Sequence, residues 1–347
     1  MTETINSSAD SHLSVATTTA KVTDQTQTLG GITAISSGVD FYFQCAVIVI
    51  GVVGAAANAL VLYAMVASKQ HKKQLLIFNQ NVFDLCSCVL LVITYTLKLC
   101  NVRVTDTFTY WLCMMFMSES LLWSSINGSV INLLSITVDR YLKAFPRDWS
   151  KKFLLSKCAI MSTIVFAWIS SAIQNMAVVF STTRIIDGVC YGYMFWKSRV
   201  AEVIYAIWYF MSFFVVEVFI FVYCYGRIVA VIRRQASVMA DHQGPGTSAA
   251  QAHTHQVQTN VIKTMILISA FYIVTWMPTN VNYLILNFSE PGSSVDIVHY
   301  TATFVSFLYI CANPFIYATK FDPVKRILVD LISSRISRQS TVGSHAT

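Results

Sequence analysis

Several charged residues stand where charge is costly, and they are the first candidates for chemistry. Asp139-Arg140-Tyr141 closes an apolar run over about 112–138. A charge turned toward lipid there costs about 2.5–3.5 kcal/mol, so the pair marks a membrane boundary or faces the inside of a helix bundle. Asp84 sits amid Phe83, Leu85 and Val89, and Glu217 between Val216 and Val218. With His299 they form no pattern for nucleophilic or metal chemistry, so an enzyme is the least favoured class. Two roles stay open for Asp84: a protonated acid that only hydrogen-bonds, or a carboxylate holding a small cation with hydroxyl and amide oxygens. Ser129 and Asn313 are the co-ligands if a bundle places them opposite it. No other cofactor is indicated.

The elements that must position these residues are membrane spans. The chain has 347 residues, is 55% hydrophobic and only 12% charged, against about a quarter charged in a soluble domain. Seven apolar stretches are long enough to cross a bilayer as helices: about 41–67, 75–99, 112–138, 158–180, 203–231, 261–286 and 295–318. Their length excludes the alternating ten-residue strands of an outer-membrane barrel. Backbone hydrogen bonding in lipid then requires a helical bundle. The fold class is all-α, a seven-transmembrane helix bundle.

Lysine and arginine set its orientation. Lys69, Lys72 and Lys73 follow the first span, Lys143, Arg147, Lys151 and Lys152 the third, Arg233 and Arg234 the fifth, and Lys325, Arg326, Arg335 and Arg338 the seventh. The opposite connections are poorer in basic residues. The expected layout is a disordered extracellular N-terminus over 1–40, the bundle over 41–318 and a cytoplasmic segment over 319–347, in the plasma membrane. The net charge of +7 follows from this topology and gives no case for nucleic-acid binding.

Within the last segment, Asp322 to Leu328 reads as a short amphipathic helix on the membrane surface, its basic residues toward anionic lipid. Cys113 and Cys190 both face an oxidising compartment, so a disulfide between them is expected. Asn6 and Asn287 head glycosylation acceptor patterns on the outside, whereas Asn127-Gly128-Ser129 lies within a span. Residues 235–260, with Gly244-Pro245-Gly246 and three histidines, read as a flexible linker. Pro278 and Pro314 each remove a helix hydrogen bond and place kinks in the sixth and seventh spans.

Asn58, Asp84, Asp139-Arg140-Tyr141, Trp168, Trp276-Met277-Pro278 and Asn313-Pro314-Phe315-Ile316-Tyr317 fall in order in successive spans. Together they resemble the rhodopsin-like (class A) G protein-coupled receptors over about 41–330. The resemblance implies that Asp139, Arg140 and Tyr141 close the inner face. Arg140 is released on activation toward Tyr225, Tyr317 and a heterotrimeric G protein. Trp276 forms the pocket floor, Pro278 the hinge of an outward-swinging sixth helix, and Asn313 and Pro314 belong to the activation machinery. Asp84 with Ser129 and Asn313 corresponds to the family's sodium site. Arrestin and receptor kinases, with membrane lipid, complete the implied partners.

This chain departs from the family in places. Glu217 stands where a proline is usual, and Gln258 stands where an acidic partner for the arginine is common, which implies a weaker inactive lock. Cys113 lies two residues farther from Arg140 than usual. Phe307 replaces the retinal-binding lysine. Leu122, or Ser120 counted from Cys113, replaces the aspartate of amine receptors.

Glu119 is the nearest carboxylate for a cationic ligand or a basic peptide side chain, and equally a charged residue at the water boundary. Depth alone adds Gln174, Asn175, Tyr205, Trp208, Tyr209, Asn280, Tyr283 and Tyr300 as ligand-contact candidates. The aromatic outer loop around Cys190 favours a peptide, with a non-peptide small molecule as the alternative. A transporter would use Asp84 and Glu217 as an ion path, but the repeats or paired broken helices it requires are not seen.

Overall fold

The bundle is built from helices whose apolar length answers to a bilayer and whose buried stripes answer to one another. The structure, a computed structural model, describes residues 38–145, 156–193, 195–241, 249–288, 297–320, 324–330 and 333. Asn6 and Gly244-Pro245-Gly246 lie outside these residues, and the side chain of Gln258 outside those described. Seven helices are long and apolar enough to cross a membrane. They are α1 (Gly38–Ala67), α2 (Leu75–Leu99), α3 (Thr107–Ala144), α4 (Lys157–Thr182), α5 (Arg199–Arg234), α6 (Thr259–Phe288) and α7 (Ile297–Lys320). The chain is a multi-pass membrane protein.

The third helix is the most enclosed of the seven and the fourth the least. Helix α3 packs against α2, α4 and α5, and α7 against α6 and α2. Phe83, Phe221, Tyr272, Phe307, Tyr309 and Tyr317 are among the side chains wholly buried between them. Trp168 of α4 stacks on Phe83 of α2 with ring centroids 3.9 Å apart. A Cβ on Gly54 would lie 2.7 Å from the Cys88 sulfur and 2.8 Å from that of Cys311. The small residue at 54 therefore lets α1 approach α2 and α7 closely.

Two helices are interrupted without proline. Helix α3 makes a π turn at Cys113–Met117, and Glu119 then takes a left-handed backbone, φ 62°, before the helix resumes at Ser120. A π turn accommodates an extra residue in a helix, and both irregular turns fall between Cys113 and Arg140. Helix α5 makes a π turn at Met211–Val215, immediately before Glu217. Its break thus survives without the proline that the resemblance leads one to expect.

Between α4 and α5 the chain forms a hairpin, β1 (Arg184–Ile186) against β2 (Val189–Tyr191). Asp187 and Gly188 both have positive φ, 50° and 73°, as a type I′ turn requires. Cys190 of β2 is bonded to Cys113, their Cα atoms 5.7 Å apart. A Cβ on Gly192 would lie 2.8 Å from Ser118 Cα, so the hairpin lies directly on the irregular turn of α3.

Three expectations about boundaries are corrected. Helix α3 begins at Thr107, so Cys113 lies within it rather than at its start. The helices of α5 and α6 continue to Asp241 and back to Ala249, so much of the expected linker is helical. Asn287 is not in a loop: it lies in the last turn of α6, 8% exposed. Its Nδ2, where a glycan would attach, donates to the Tyr283 carbonyl at 2.8 Å. Residues 324–330 are helical, with Val324 and Leu328 buried against the bundle and Lys325 and Arg326 exposed. That is the expected amphipathic surface helix.

Candidate functional site

At the end of the bundle away from the disulfide, α3 presents Asp139 and Arg140 to its neighbours. Arg140 Nε lies 3.7 Å from Asp139 Oδ2, and Lys143 Nζ is 2.7 Å from the same oxygen. The Arg140 guanidinium also donates to Gln74 Oε1, at the start of α2. The arginine is thus held by its own helix and by α2. Tyr225 of α5 shares a hydrogen bond with Thr137 at 2.9 Å and accepts one from Ser269 of α6 at 3.4 Å. This joins α3, α5 and α6 beside the arginine. Tyr317 is fully buried and its hydroxyl has no partner. Tyr141 packs its ring on Phe145, 4.9 Å away, at the end of α3.

Midway along the bundle, Asp84 gathers the residues expected around it. Ser129 donates to Oδ1 at 2.8 Å, Asn313 to Oδ2 at 2.9 Å, and Gln80 to Oδ1 at 3.4 Å. Gln80 accepts from Asn132 at 2.8 Å, Asn132 from Asn79 at 2.9 Å, and Asn79 from the Trp168 indole at 3.2 Å. One polar chain therefore crosses from α7 through α2 and α3 to α4. Asn313 also offers an unpartnered Oδ1. Asp84, Ser129 and that oxygen are hard donors of the kind a sodium ion takes, so the residues present fit such an ion.

Near Asp84 in depth, Glu217 of α5 meets Tyr272 of α6. The Tyr272 hydroxyl lies 2.7 Å from Glu217 Oε2 and 2.8 Å from the Phe213 carbonyl. Among the described residues no basic side chain forms an ion pair with Glu217. Tyr272 also packs 5.8 Å from Trp276, one helical turn along. Trp276 is buried, and its ring meets Trp123 of α3 at 6.1 Å. Trp123 in turn lies 6.1 Å from Phe307. Pro278 follows within α6, where Thr279 donates to the Ala302 carbonyl of α7 at 2.6 Å. Pro314 lies within α7 beside Asn313.

At the disulfide end, Glu119 is already paired. Lys98 of α2 forms a salt bridge with Oε1, Tyr95 donates to Oε1 at 3.1 Å, and the Trp123 indole donates to Oε2 at 2.8 Å. In the chain without ligand, then, α2 supplies the cation that faces this carboxylate. Leu122, where amine receptors carry an aspartate, is fully buried, and so is Ser120.

The depth-based candidates divide. Tyr209 donates to Asn127 at 3.1 Å and packs against Tyr283 at 5.7 Å, facing the bundle interior. Asn175 accepts from Tyr193 of the loop at 3.4 Å, and Gln174 lies beside the Tyr205 hydroxyl. Burial pushes the Tyr193 phenol well up, so it remains a donor. Tyr205 stacks obliquely on Trp196, 5.1 Å away. Asn280 is buried, its amide spent on the Trp276 carbonyl at 2.9 Å. Tyr300 donates to Asp40 and packs on Phe43 of α1. Trp208 is a correction: at 45% exposure it shares the outward face of α5 with Ile204 and Met211, where lipid would lie.

Sequence reasoning missed Gln74, Gln80, Lys98 and Tyr272. Gln80 alone carried a local signal, standing one helical turn before Asp84.

A family model described as "7 transmembrane receptor (rhodopsin family)" matches residues 57–317. Among curated proteins, the human trace amine-associated receptor 6 is 24% identical over 62% of this chain and 63% of its own length. The rat trace amine-associated receptor 9 is 21% identical over 61% of this chain and 64% of its own. The chain thus spans less than two thirds of the length of these relatives. Squid rhodopsin has the same fold, with a TM-score of 0.69 at 15% identity over 86% of this chain and 87% of that one.

Proposed function

The chain belongs to the rhodopsin family of seven-transmembrane receptors, and on that premise we propose that it converts binding of an extracellular ligand into activation of a heterotrimeric G protein. The observation that carries this is the placement of Arg140. It is held by Asp139 and Gln74 beside Tyr225, whose hydroxyl meets both α3 and α6. An outward swing of the inner half of α6 about Pro278 breaks the Ser269–Tyr225 contact. It opens a cleft in which Arg140 meets the G protein. A ligand drives this only to the extent that it binds the swung form better than the resting one. The basic loops support a reading with Arg140 on the cytoplasmic side and the disulfide outside, in a plasma-membrane receptor that arrestin and receptor kinases then regulate.

For the ligand, a small aromatic amine is favoured over the peptide that the outer loop first suggested. The hairpin is laid onto the α3 turn at Ser118, and Tyr193 is tied to Asn175, so the loop covers the bundle instead of standing open. The relatives named above are trace amine receptors. Trp123, Trp276 and Phe307 form one aromatic cluster, ring centroids 6.1 Å apart in each pair that Trp123 makes, of the kind that would pack on an aromatic body.

A sodium ion in the resting form would be held by Asp84, Ser129 and the Asn313 amide oxygen. It would supply a positive charge between α2, α3 and α7.

The test is nucleotide exchange on purified G proteins by the receptor in lipid nanodiscs, against panels of aromatic amines and of peptides. Stimulation by an amine supports the reading. Stimulation by peptides alone restores the peptide ligand, and exchange in neither the basal nor the liganded state contradicts the receptor function.

A further inference from the structure

The Glu119 carboxylate is surrounded as a bound ammonium's counter-ion would be. One oxygen takes the Lys98 ammonium and the Tyr95 hydroxyl, and the other takes the Trp123 indole N–H. The Lys98 nitrogen also lies 5.1 Å from the centre of the Tyr95 ring, within cation–π range. A carboxylate and a ring face together form a recognition set for a primary ammonium, and the indole N–H holds the carboxylate in place. Here the ammonium arrives on a tether from α2.

The site is reachable and connected. The Glu119 side chain is 17% exposed and that of Lys98 30%, so neither is sealed in the core. Trp123, which grips the carboxylate, is also the residue whose ring meets Trp276 at the foot of the bundle's aromatic cluster. Glu119 itself sits at the left-handed turn that restarts α3, so whatever pulls on it acts on that helix break.

We propose that Glu119, Tyr95 and Trp123 form an ammonium subsite that Lys98 occupies in the resting chain, and that a small primary ammonium ion competes with Lys98 for it. This deepens the amine reading of the preceding section and rests on it for the signalling consequence, though not for binding. The amine enters without the aspartate of amine receptors, because the carboxylate has moved to the turn of α3 and carries a built-in competitor. The carboxylate keeps one ammonium partner throughout, so it is never stranded, and the displaced Lys98 ammonium, on a side chain 30% exposed, turns to solvent.

The competitor can be excised. Lys98→Ala removes the atoms of propylammonium, leaving a vacancy of matching shape and charge. The experiment measures the melting temperature of the purified full chain in nanodiscs as propylammonium chloride is titrated, with 1-propanol as the uncharged control. Ligand binding to the folded state raises the melting temperature by mass action.

The expected result is a shift in Lys98→Ala at an amine concentration about tenfold or more below that needed for wild type, which corresponds to about 1.4 kcal/mol of lost competition. Propanol gives no shift, and Lys98→Ala combined with Glu119→Gln loses the response. If Lys98→Ala does not fold, Lys98→Gln replaces it: its neutral amide competes for Glu119 less well than an ammonium, so a shift at lower amine concentration than in wild type is still expected, though a smaller change than in Lys98→Ala. Equal shifts in wild type, single and double variants would overturn the proposal, as would no shift in a folded Lys98 variant. The readout needs no G protein, so failure of coupling and failure of the subsite are seen separately.

Discussion

The Tyr272 hydroxyl in α6 reaches two oxygens of α5 at once, Glu217 Oε2 at 2.7 Å and the Phe213 carbonyl at 2.8 Å. A phenol has one proton to donate. Both contacts are satisfied together only when Glu217 brings a proton of its own and donates it to the phenol oxygen. The π turn at Met211–Val215 contains the Phe213 carbonyl, so the irregular turn and the buried acid are parts of one joint between α5 and α6.

Glu217→Gln preserves a donor to the phenol and is expected to melt close to wild type. Glu217→Ala and Tyr272→Phe each leave a buried polar group unpaired and should cost about 1–3 kcal/mol. Their double variant should cost less than the sum, because both remove the same contact. Thermal unfolding of the four variants and the wild type checks this. Additive losses, or a Glu217→Gln as unstable as Glu217→Ala, would refute the joint.

Asp84 with Ser129 and Asn313 predicts dependence on sodium. In sodium chloride the receptor should melt higher than in the chloride of a large organic cation at equal ionic strength. Asp84→Asn should abolish that difference while keeping hydrogen bonds to Ser129 and Asn313. A difference that persists in Asp84→Asn would place the ion elsewhere.

At the start of α3, Asp106 caps the helix: its side chain accepts from the Thr109 backbone N–H at 2.8 Å and from the Thr109 hydroxyl at 2.7 Å. That backbone hydrogen bond, followed by the hydroxyl's, holds its carboxyl below the usual carboxylate range. A carboxyl lowered in the folded state stabilises it above the unfolded pKa of about 3.9, and the contribution is lost as pH falls through the lower folded value. Hydrogen exchange of the first turn of α3 should therefore quicken as pH drops through that range, after correction for the intrinsic rate. Asp106→Asn should flatten this dependence. An unchanged profile in the variant would show that the cap does not report the carboxyl's charge.

The spans were legible because lipid imposes length and apolarity on each helix separately. The Asp84 group was legible because a deep carboxylate demands partners, and Ser129 and Asn313 stood at matching depths. The partners of the other two acids were not. Lys98 and Glu119 are 21 residues apart and Glu217 and Tyr272 are 55, and each pair meets only through the packing of neighbouring helices. The π turns escaped notice for a related reason: an extra residue is absorbed where packing tolerates it, and its type carries no signature. The hairpin did have one, Asp187-Gly188, obscured by the aromatic residues that follow it.

Ligand-free signalling in transfected cells, wild type against Arg140→Ala at matched surface expression and across several G protein readouts, bears on the whole account. The expected result is basal output in the wild type that Arg140→Ala abolishes, in the same G protein class that purified receptor activates. Basal output that Arg140→Ala leaves intact, or ion flux with no G protein signal in either protein, would contradict it.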